Sequence, residues 1–303
     1  MVWTAIHEAA RSALRFLGRS YPLYSGCGTL ANSAPWRAVM AGGPSEAVTP
    51  VRGTRAKLIV QVDDFVGAAV YSFGDLDPKI TWVVRKILRP GDTALDIGAN
   101  LGLVAVTMAD AVGPAGRVEA FEPQPCLAAL MVRSAALNGF AHLTVHQLAL
   151  GRTDTEVALH IPHDNAGHAS IGRADMAGET IRVPQRNAAS VLEGLGLGPI
   201  RLMKMDVEGY ETEVVAGAES YLRHNPPDAI LFEMNGRDGP FGDHPLIGRL
   251  AEFGYRFAAL PKCLWTMRLK RITPGAVAPS ANDVLAIRRD AGGDAILAAV
   301  NAV

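Results

Sequence analysis

Residues 93–108 read TALDIGANLGLVAVTM. A short apolar run leads into Asp96. Gly98, Asn100 and Gly102 follow within six positions, and apolar residues at helical spacing resume at Leu103. That order predicts a strand, a tight turn and a helix. In an open α/β sheet ligands sit at the carboxyl ends of the strands, so this turn is a candidate binding site. Gly98 and Gly102 allow the sharp turn and the close approach of a ligand to bare backbone. The N–H groups that open the following helix point at whatever is bound.

The spacing separates ligand classes. A dinucleotide site calls for G-x-G-x-x-G, because a pyrophosphate must lie against glycine backbone and a helix N-terminus. Here the pattern is D-x-G-x-N-x-G. A carboxylate at Asp96 repels a pyrophosphate and favours an ammonium group. S-adenosylmethionine carries such a group on its methionine part and has no phosphate. The next strand, VEAFEP, ends in Glu122, 24 residues after Gly98, where a carboxylate can accept the hydroxyls of an adenosine ribose. Glu122 alone does not distinguish adenosine cofactors from each other; the Asp96 charge makes that choice.

On both sides of this stretch, strands and helices alternate. TALDI, RVEAFE, LTVHQLAL, RLMKMDV, PDAILFEM, YRFAAL and NDVLAIRR read as strands. The segments between most of them have helical periodicity, which argues for a mostly parallel sheet with helices on both faces. Upstream, KLIVQV and AAVYSF read as two strands, a hairpin across DDFVG, followed by a helix over DPKITWVVRKILRPGD. Residues 2–17 place Trp3, Ile6, Ala10, Ala13, Leu14 and Leu17 at near-helical spacing. That predicts an amphipathic helix packed on the domain, with a homodimer contact or a membrane surface as the alternatives. Residues 31–56 mix Pro, Gly, Ser and Ala and read as loop. Residues 152–190 are polar and hold His160, His163 and His168. They read either as a binding lid or as a β-extension over a sheet edge. The expected organisation is an N-terminal extension over 1–56, a catalytic domain over 57–290 with the 152–190 insertion, and a tail over 291–303.

The 303 residues are 49% hydrophobic and 19% charged, with a formal net charge of -1. These values fit a globular chain and give no global field for nucleic acid. Three cysteines without a C-x-x-C pair argue against a disulfide framework or a zinc site and favour a reducing compartment. No apolar run approaches the ~18 residues of a membrane span. His7, Glu8, Arg11 and Arg15 lie where a signal peptide needs an apolar core, so a cytoplasmic location is expected.

DIGANLG, AFEPQP, KMDVEGYETEVVAGAESYL and ILFE together resemble the FkbM family of S-adenosylmethionine-dependent methyltransferases. KMDVEG at 204–209 with Glu211 is the most distinctive piece. YSFGD at 71–75, LAEFGYRF at 250–257 and Asn282 before the last strand are also similar, and the likeness covers roughly residues 58–290. The resemblance implies a class I methyltransferase (Rossmann-like) fold of seven strands with the last antiparallel. It also implies O-methylation of hydroxyls on natural products, sugars or glycolipids. Carried over, Asp96, Gly98, Asn100 and Gly102 would line the methionine and ribose parts of the cofactor. Glu122 would hold the ribose, and Gly74 would approach from the preceding hairpin.

Methyl transfer to an alcohol needs in-line alignment of the nucleophile. It is helped by a base or by a cation that lowers the alcohol's pKa. Asp206, at the end of the fourth core strand, could accept the hydroxyl proton, bind the cofactor's ammonium or ligate a metal. Glu233 and Asn235 end the next strand, and with Asp206 could hold a hard cation through oxygen ligands; a divalent metal is not expected. Glu208 would cap the following helix or reach the substrate, and Lys204 would pair with a nearby carboxylate. His168, in NAGHAS, is the candidate base on the insertion. His142 and His146 flank a core strand as structural residues. Two rival readings are an NAD-linked oxidoreductase, disfavoured by the missing G-x-G-x-x-G, and a non-catalytic cofactor-binding module, disfavoured by the retention of Asp96, Asp206 and Glu233.

Overall fold

A computed structural model describes residues 2–162, 166–172, 177–234, 240–262, 265, 267–273 and 282–301. In chain order the first elements are α1 (Val2–Arg19), α2 (Cys27–Ala31), α3 (Ala34–Met40), β1 (Glu46–Pro50), β2 (Lys57–Gln61), α4 (Phe65–Phe73) and α5 (Pro78–Ile87). The glycine turn is flanked by β3 (Thr93–Ile97) and α6 (Leu103–Val112), followed by β4 (Arg117–Phe121), α7 (Pro125–Asn138), β5 (Leu143–His146) and β6 (Ala149–Gly151). The insertion contains β7 (Thr155–Pro162), β8 (Ser170–Ile171) and β9 (Gly178–Asn187), and leads to α8 (Ala188–Gly194). Then come β10 (Ile200–Met205), α9 (Glu211–Gly217), α10 (Glu219–His224), β11 (Ala229–Glu233), α11 (Pro245–Glu252), β12 (Tyr255–Ala259), β13 (Lys270–Ile272), β14 (Asp283–Arg288) and α12 (Ala291–Asn301).

The central sheet has the order β13-β12-β14-β11-β10-β3-β4-β5. β11, β10, β3, β4 and β5 pair in parallel, and β14 inserts antiparallel between β11 and β12. This is the expected class I arrangement with β13 added as an eighth, edge strand. The inner strands are buried on both faces, and their residues alternate accordingly. Ala94, Leu202, Leu231 and Leu285 pack into one core with α4, α5, α6, α7 and α12; Leu95, Met203, Ile230 and Val284 pack into the other with α8 to α11. From β3 the chain winds one way through β4 and β5, and from β10 the other way. The turns after β3 and β10 therefore lie side by side, at the switch point where such sheets bind ligands.

Several local expectations are corrected. AAVYSF is not a strand. It belongs to α4, whose N-cap Asp64 accepts hydrogen bonds from Val66 N and Gly67 N at 2.8 and 3.0 Å, and whose C-cap is Gly74 at φ 78°. Nearly every side of this helix is buried, so apolar residues do not follow a helical stripe. The upstream hairpin is instead β1 with β2, from Glu46↔Gln61 to Pro50↔Lys57, so a domain boundary at 56/57 falls inside it. Residues 31–56 hold α3 and β1 rather than loop, and the expected tail folds as α12 against α5 and β14. LTVHQLAL divides into β5 and β6, and β6 leaves the central sheet. The insertion forms a ribbon, β6-β9-β7-β8, in which β7 and β9 pair antiparallel from Thr155↔Gln185 to Pro162↔Gly178. No helix among the described residues is long and apolar enough to cross a membrane.

Candidate active site

Gly98 has φ 74°, and a Cβ there would lie 1.9 Å from the carbonyl oxygen of Asp206. The two switch-point turns can touch only because residue 98 lacks a side chain. Gly98 N and Ala99 N both donate to Phe121 O at 3.0 Å, which ties the turn to the end of β4. Asn100 follows with φ 53° and its Oδ1 accepts from Leu101 N at 2.6 Å, the local hydrogen bond that makes asparagine tolerable in a left-handed position. Glu122 Oε2 accepts from Asn100 N at 2.8 Å and Oε1 from Gln124 N at 2.9 Å. Burial pushes the Glu122 carboxyl up to about 7, against the lowering effect of those two N–H groups.

Lys204 and Asp96 face each other across the β10–β3 pair on one face of the sheet. The Lys204 ammonium donates to Gly98 O at 2.8 Å and lies 3.2 Å from Asp96 and 3.6 Å from Asp206. Burial alone would lower Lys204; Asp96, Asp206 and Glu122 more than offset it and hold the ammonium charged. Asp96 is fully buried, which pushes its carboxyl up against the opposing effect of Lys204. Asp96 therefore lies beneath the turn and borders none of the site's cavities described below, contrary to the expectation that it lines the methionine part.

Within KMDVEGYE, residues 206–210 form a compact loop between β10 and α9. Glu208 and Gly209 have φ 53° and 96°, and the buried Glu211 closes the loop by accepting from Val207 N at 3.1 Å and Gly209 N at 3.3 Å. Asp206 is left with a side chain 45% exposed. Among the described residues, Asn100 and Glu208 are the only non-glycines with positive φ, and both border the crevice. Strained backbone of this kind concentrates at binding sites.

Three adjoining cavities make up the crevice. The first lies under the ribbon and is lined by Gly98, Asn100, Phe121, Glu122, Leu159 and Tyr210. The second runs past Phe65, Leu103, His168 and Glu208. The third opens on the side of Asp77, Lys79, Lys262 and Asp283. Asp206 lines all three, and Glu233 the second and third. Carboxylate oxygens of Asp206, Glu208 and Glu233 lie within 4.8 Å of one another, a spacing at which they could share a hard cation.

Of the expected cofactor residues, Gly98, Asn100, Glu122 and Asp206 come together. Gly102 caps α6, and its missing Cβ admits Met131. Gly74 caps α4 beside Arg19 and Pro50, away from the crevice. His168 is exposed and borders the second cavity from the 3-10 turn Ala166–His168. His160 is buried in β7 beside Thr180, at 3.2 Å. His142 bonds to Ala109 O and His146 to Glu119, as structural residues. His163 and Asn235 lie outside the described residues. The sequence reading missed the buried Lys79, 2.9 Å from Asp77 and 2.5 Å from Asp283, on the wall of the third cavity. Burial pushes Asp283 up to about 6, with Lys79 opposing. It also missed the Tyr210 hydroxyl, which donates to Gln185 Oε1 at 2.9 Å and ties the ribbon to the Asp206 loop. The Asp-Pro start of α5 was the one available signal for Lys79.

Residues 96–257 match the Methyltransferase FkbM domain, which spans more than half of the chain. "Methyltransferase 1" of Beauveria bassiana (strain ARSEF 2860) is 27% identical over 150 residues, 43% of this chain and 60% of that protein. The chain thus spans less than two thirds of that relative's length. Solved structures with some likeness include an FkbM methyltransferase from Methylobacillus flagellatus KT. It has 14% identity and a TM-score of 0.40, over 74% of this chain and 53% of that one. Another is fibrillarin from Aeropyrum pernix with bound S-adenosyl-L-methionine, at 13% identity and a TM-score of 0.41, over 80% of this chain and 98% of that one. On the sequence match across the domain that carries the two switch-point turns, the chain belongs to the FkbM family of S-adenosylmethionine-dependent methyltransferases.

Proposed function

We propose that this protein methylates a hydroxyl group of a small molecule, natural product, sugar or glycolipid. The observation that carries the reading is the position of Asp206, the one half-exposed carboxylate common to all three cavities. The residues present fit S-adenosylmethionine. Each Glu122 oxygen accepts one backbone N–H and keeps a lone pair for a ribose hydroxyl. Gly98 leaves no room for a side chain where the turns meet. The cluster of Asp206, Glu208 and Glu233 supplies negative charge for an ammonium, the role first expected of Asp96.

When bound, S-adenosylmethionine supplies a methyl group made electrophilic by its sulfonium. The protein must align an acceptor oxygen with that carbon and remove its proton. Asp206 accepts the hydroxyl proton in this reading, with Glu233, held by Asn282 Nδ2 at 3.0 Å, beside it. His168 on the ribbon side is the second candidate base. A divalent ion is not expected to take part in this reading, so a chelator should leave turnover unchanged. Three cysteines without a pairing motif support a reducing, cytoplasmic setting.

A panel of hydroxylated acceptors with labelled methyl donor tests the reaction class. With an acceptor in hand, Asp206→Asn should lower kcat by about 10²–10⁴ while cofactor affinity changes only a few-fold. An unchanged kcat would move the base to His168 or Glu233.

A further inference from the structure

The mounting of α1 is set by its basic residues. Gly18 packs against α4 so closely that a Cβ would lie 2.6 Å from Ser72 O. Arg19 donates to Pro50 O and Thr49 Oγ1, and to Tyr71 O at 3.2 Å. The Arg15 guanidinium lies 4.0 Å from the centroid of the Tyr71 ring, and Arg11 donates to Ala41 O at 3.2 Å. Arg11, Arg15 and Arg19 are four apart and share one helix face. All three are spent on the body of the protein. The opposite face is turned outward: Ala9, Ala10 and Ala13 are exposed, with Phe16 at 72% and Leu17 at 63%.

We propose that this outward apolar stripe of α1 seats the enzyme on a lipid bilayer surface, as an interfacial helix that does not span it. The exposed side chains Ala9, Ala10, Ala13, Phe16 and Leu17 carry no hydrogen-bonding group or charge. A protein interface uses about one hydrogen bond per 100–200 Å², whereas acyl chains ask for none. The area also disfavours a second copy. Eighteen residues make a helix about 27 Å long, so a stripe about 10 Å wide offers roughly 300 Å² per partner, against about 800 Å² in a stable interface. The charge pattern sets the character of the contact: with the arginines turned inward, binding is apolar and weakly dependent on salt. α1 rests on α4, whose first residues Phe65 and Val66 line the crevice, so the contact holds the active site near the bilayer.

The test is co-sedimentation of the full chain with extruded phosphatidylcholine vesicles at low and high salt. The wild type should bind, with less than a threefold change between the two salt conditions. Phe16→Asp with Leu17→Asp should weaken binding at least tenfold while leaving the thermal midpoint and S-adenosylmethionine affinity unchanged. Ala13→Arg is a second, milder variant should the double one fold poorly, and it should weaken binding in the same direction. Failure of the wild type to sediment with vesicles, or equal binding by the folded variants, would overturn the proposal. So would a wild-type dimer in sedimentation velocity that the variants dissociate, since a second copy would then cover the stripe.

Discussion

Lys204 joins the two halves of the site. Its ammonium reaches Gly98 O in one switch-point turn and Asp206 in the other, over the buried Asp96. Replacing it with methionine leaves Asp96 buried without a counter-charge, and breaking a buried pair in this way costs about 3–5 kcal/mol. Lys204→Met should therefore lose about that much stability in urea unfolding and lose cofactor binding with it; Lys204→Met with Asp96→Asn should recover much of the stability. Asp75 offers a separate test through pH. It is fully buried, bonded to the Thr81 hydroxyl at 2.5 Å, and burial pushes its carboxyl up to about 6 from 3.8. A raised carboxyl contributes its stability below the unfolded-state value and loses it as pH rises through the folded-state value. The wild type should thus lose stability relative to Asp75→Asn between about pH 4 and pH 6, by up to ~3 kcal/mol, with a flat difference above. Thermal melts of the two proteins across that window check the sign. At this scale turn chemistry and strand ends suffice to bring Gly98, Asn100, Glu122 and Asp206 to one crevice. The role of Asp96 is not legible in the sequence, because a one-dimensional motif does not tell which face of β3 the carboxylate takes, nor that Lys204 stands opposite.

At the scale of elements, the contact between the β3 and β10 turns is made by backbone. Gly98→Ala combines a positive φ with a Cβ 1.9 Å from Asp206 O, so the turns must separate. It should abolish cofactor binding in calorimetry, with a lower thermal midpoint. The ribbon is coupled to the same loop through Tyr210 and Gln185. Tyr210→Phe should weaken cofactor affinity by about three- to tenfold, the value of one hydrogen bond, with little change in thermal stability. The parallel strands were readable because their apolar residues are uninterrupted and their helices periodic. α4 was misread because a helix buried nearly all round has no polar face, although Asp64 and Gly74 mark its two ends. In the sequence the ribbon reads equally as lid or sheet extension because alternation is weak in its polar strands.

For the whole molecule, the fold sets the site where the winding of the sheet reverses. In the proposed reading the methyl donor takes the cavity on the ribbon side of Asp206 and the acceptor the open cavity on the Lys79 side. Glu122 is the residue through which this arrangement becomes measurable. Its carboxyl, raised to about 7, must be ionised to accept two ribose hydroxyls, so affinity for the methyl donor should fall as pH drops from 8 to 6. The decisive measurement is calorimetric titration of S-adenosylmethionine into the wild type and Glu122→Ala across that range, with NAD as the control ligand. Saturable binding of S-adenosylmethionine alone, weakened about 10- to 100-fold by the substitution together with loss of the pH dependence, is the expected result. Equal affinity in the two proteins, or binding of NAD in place of the methyl donor, would contradict it.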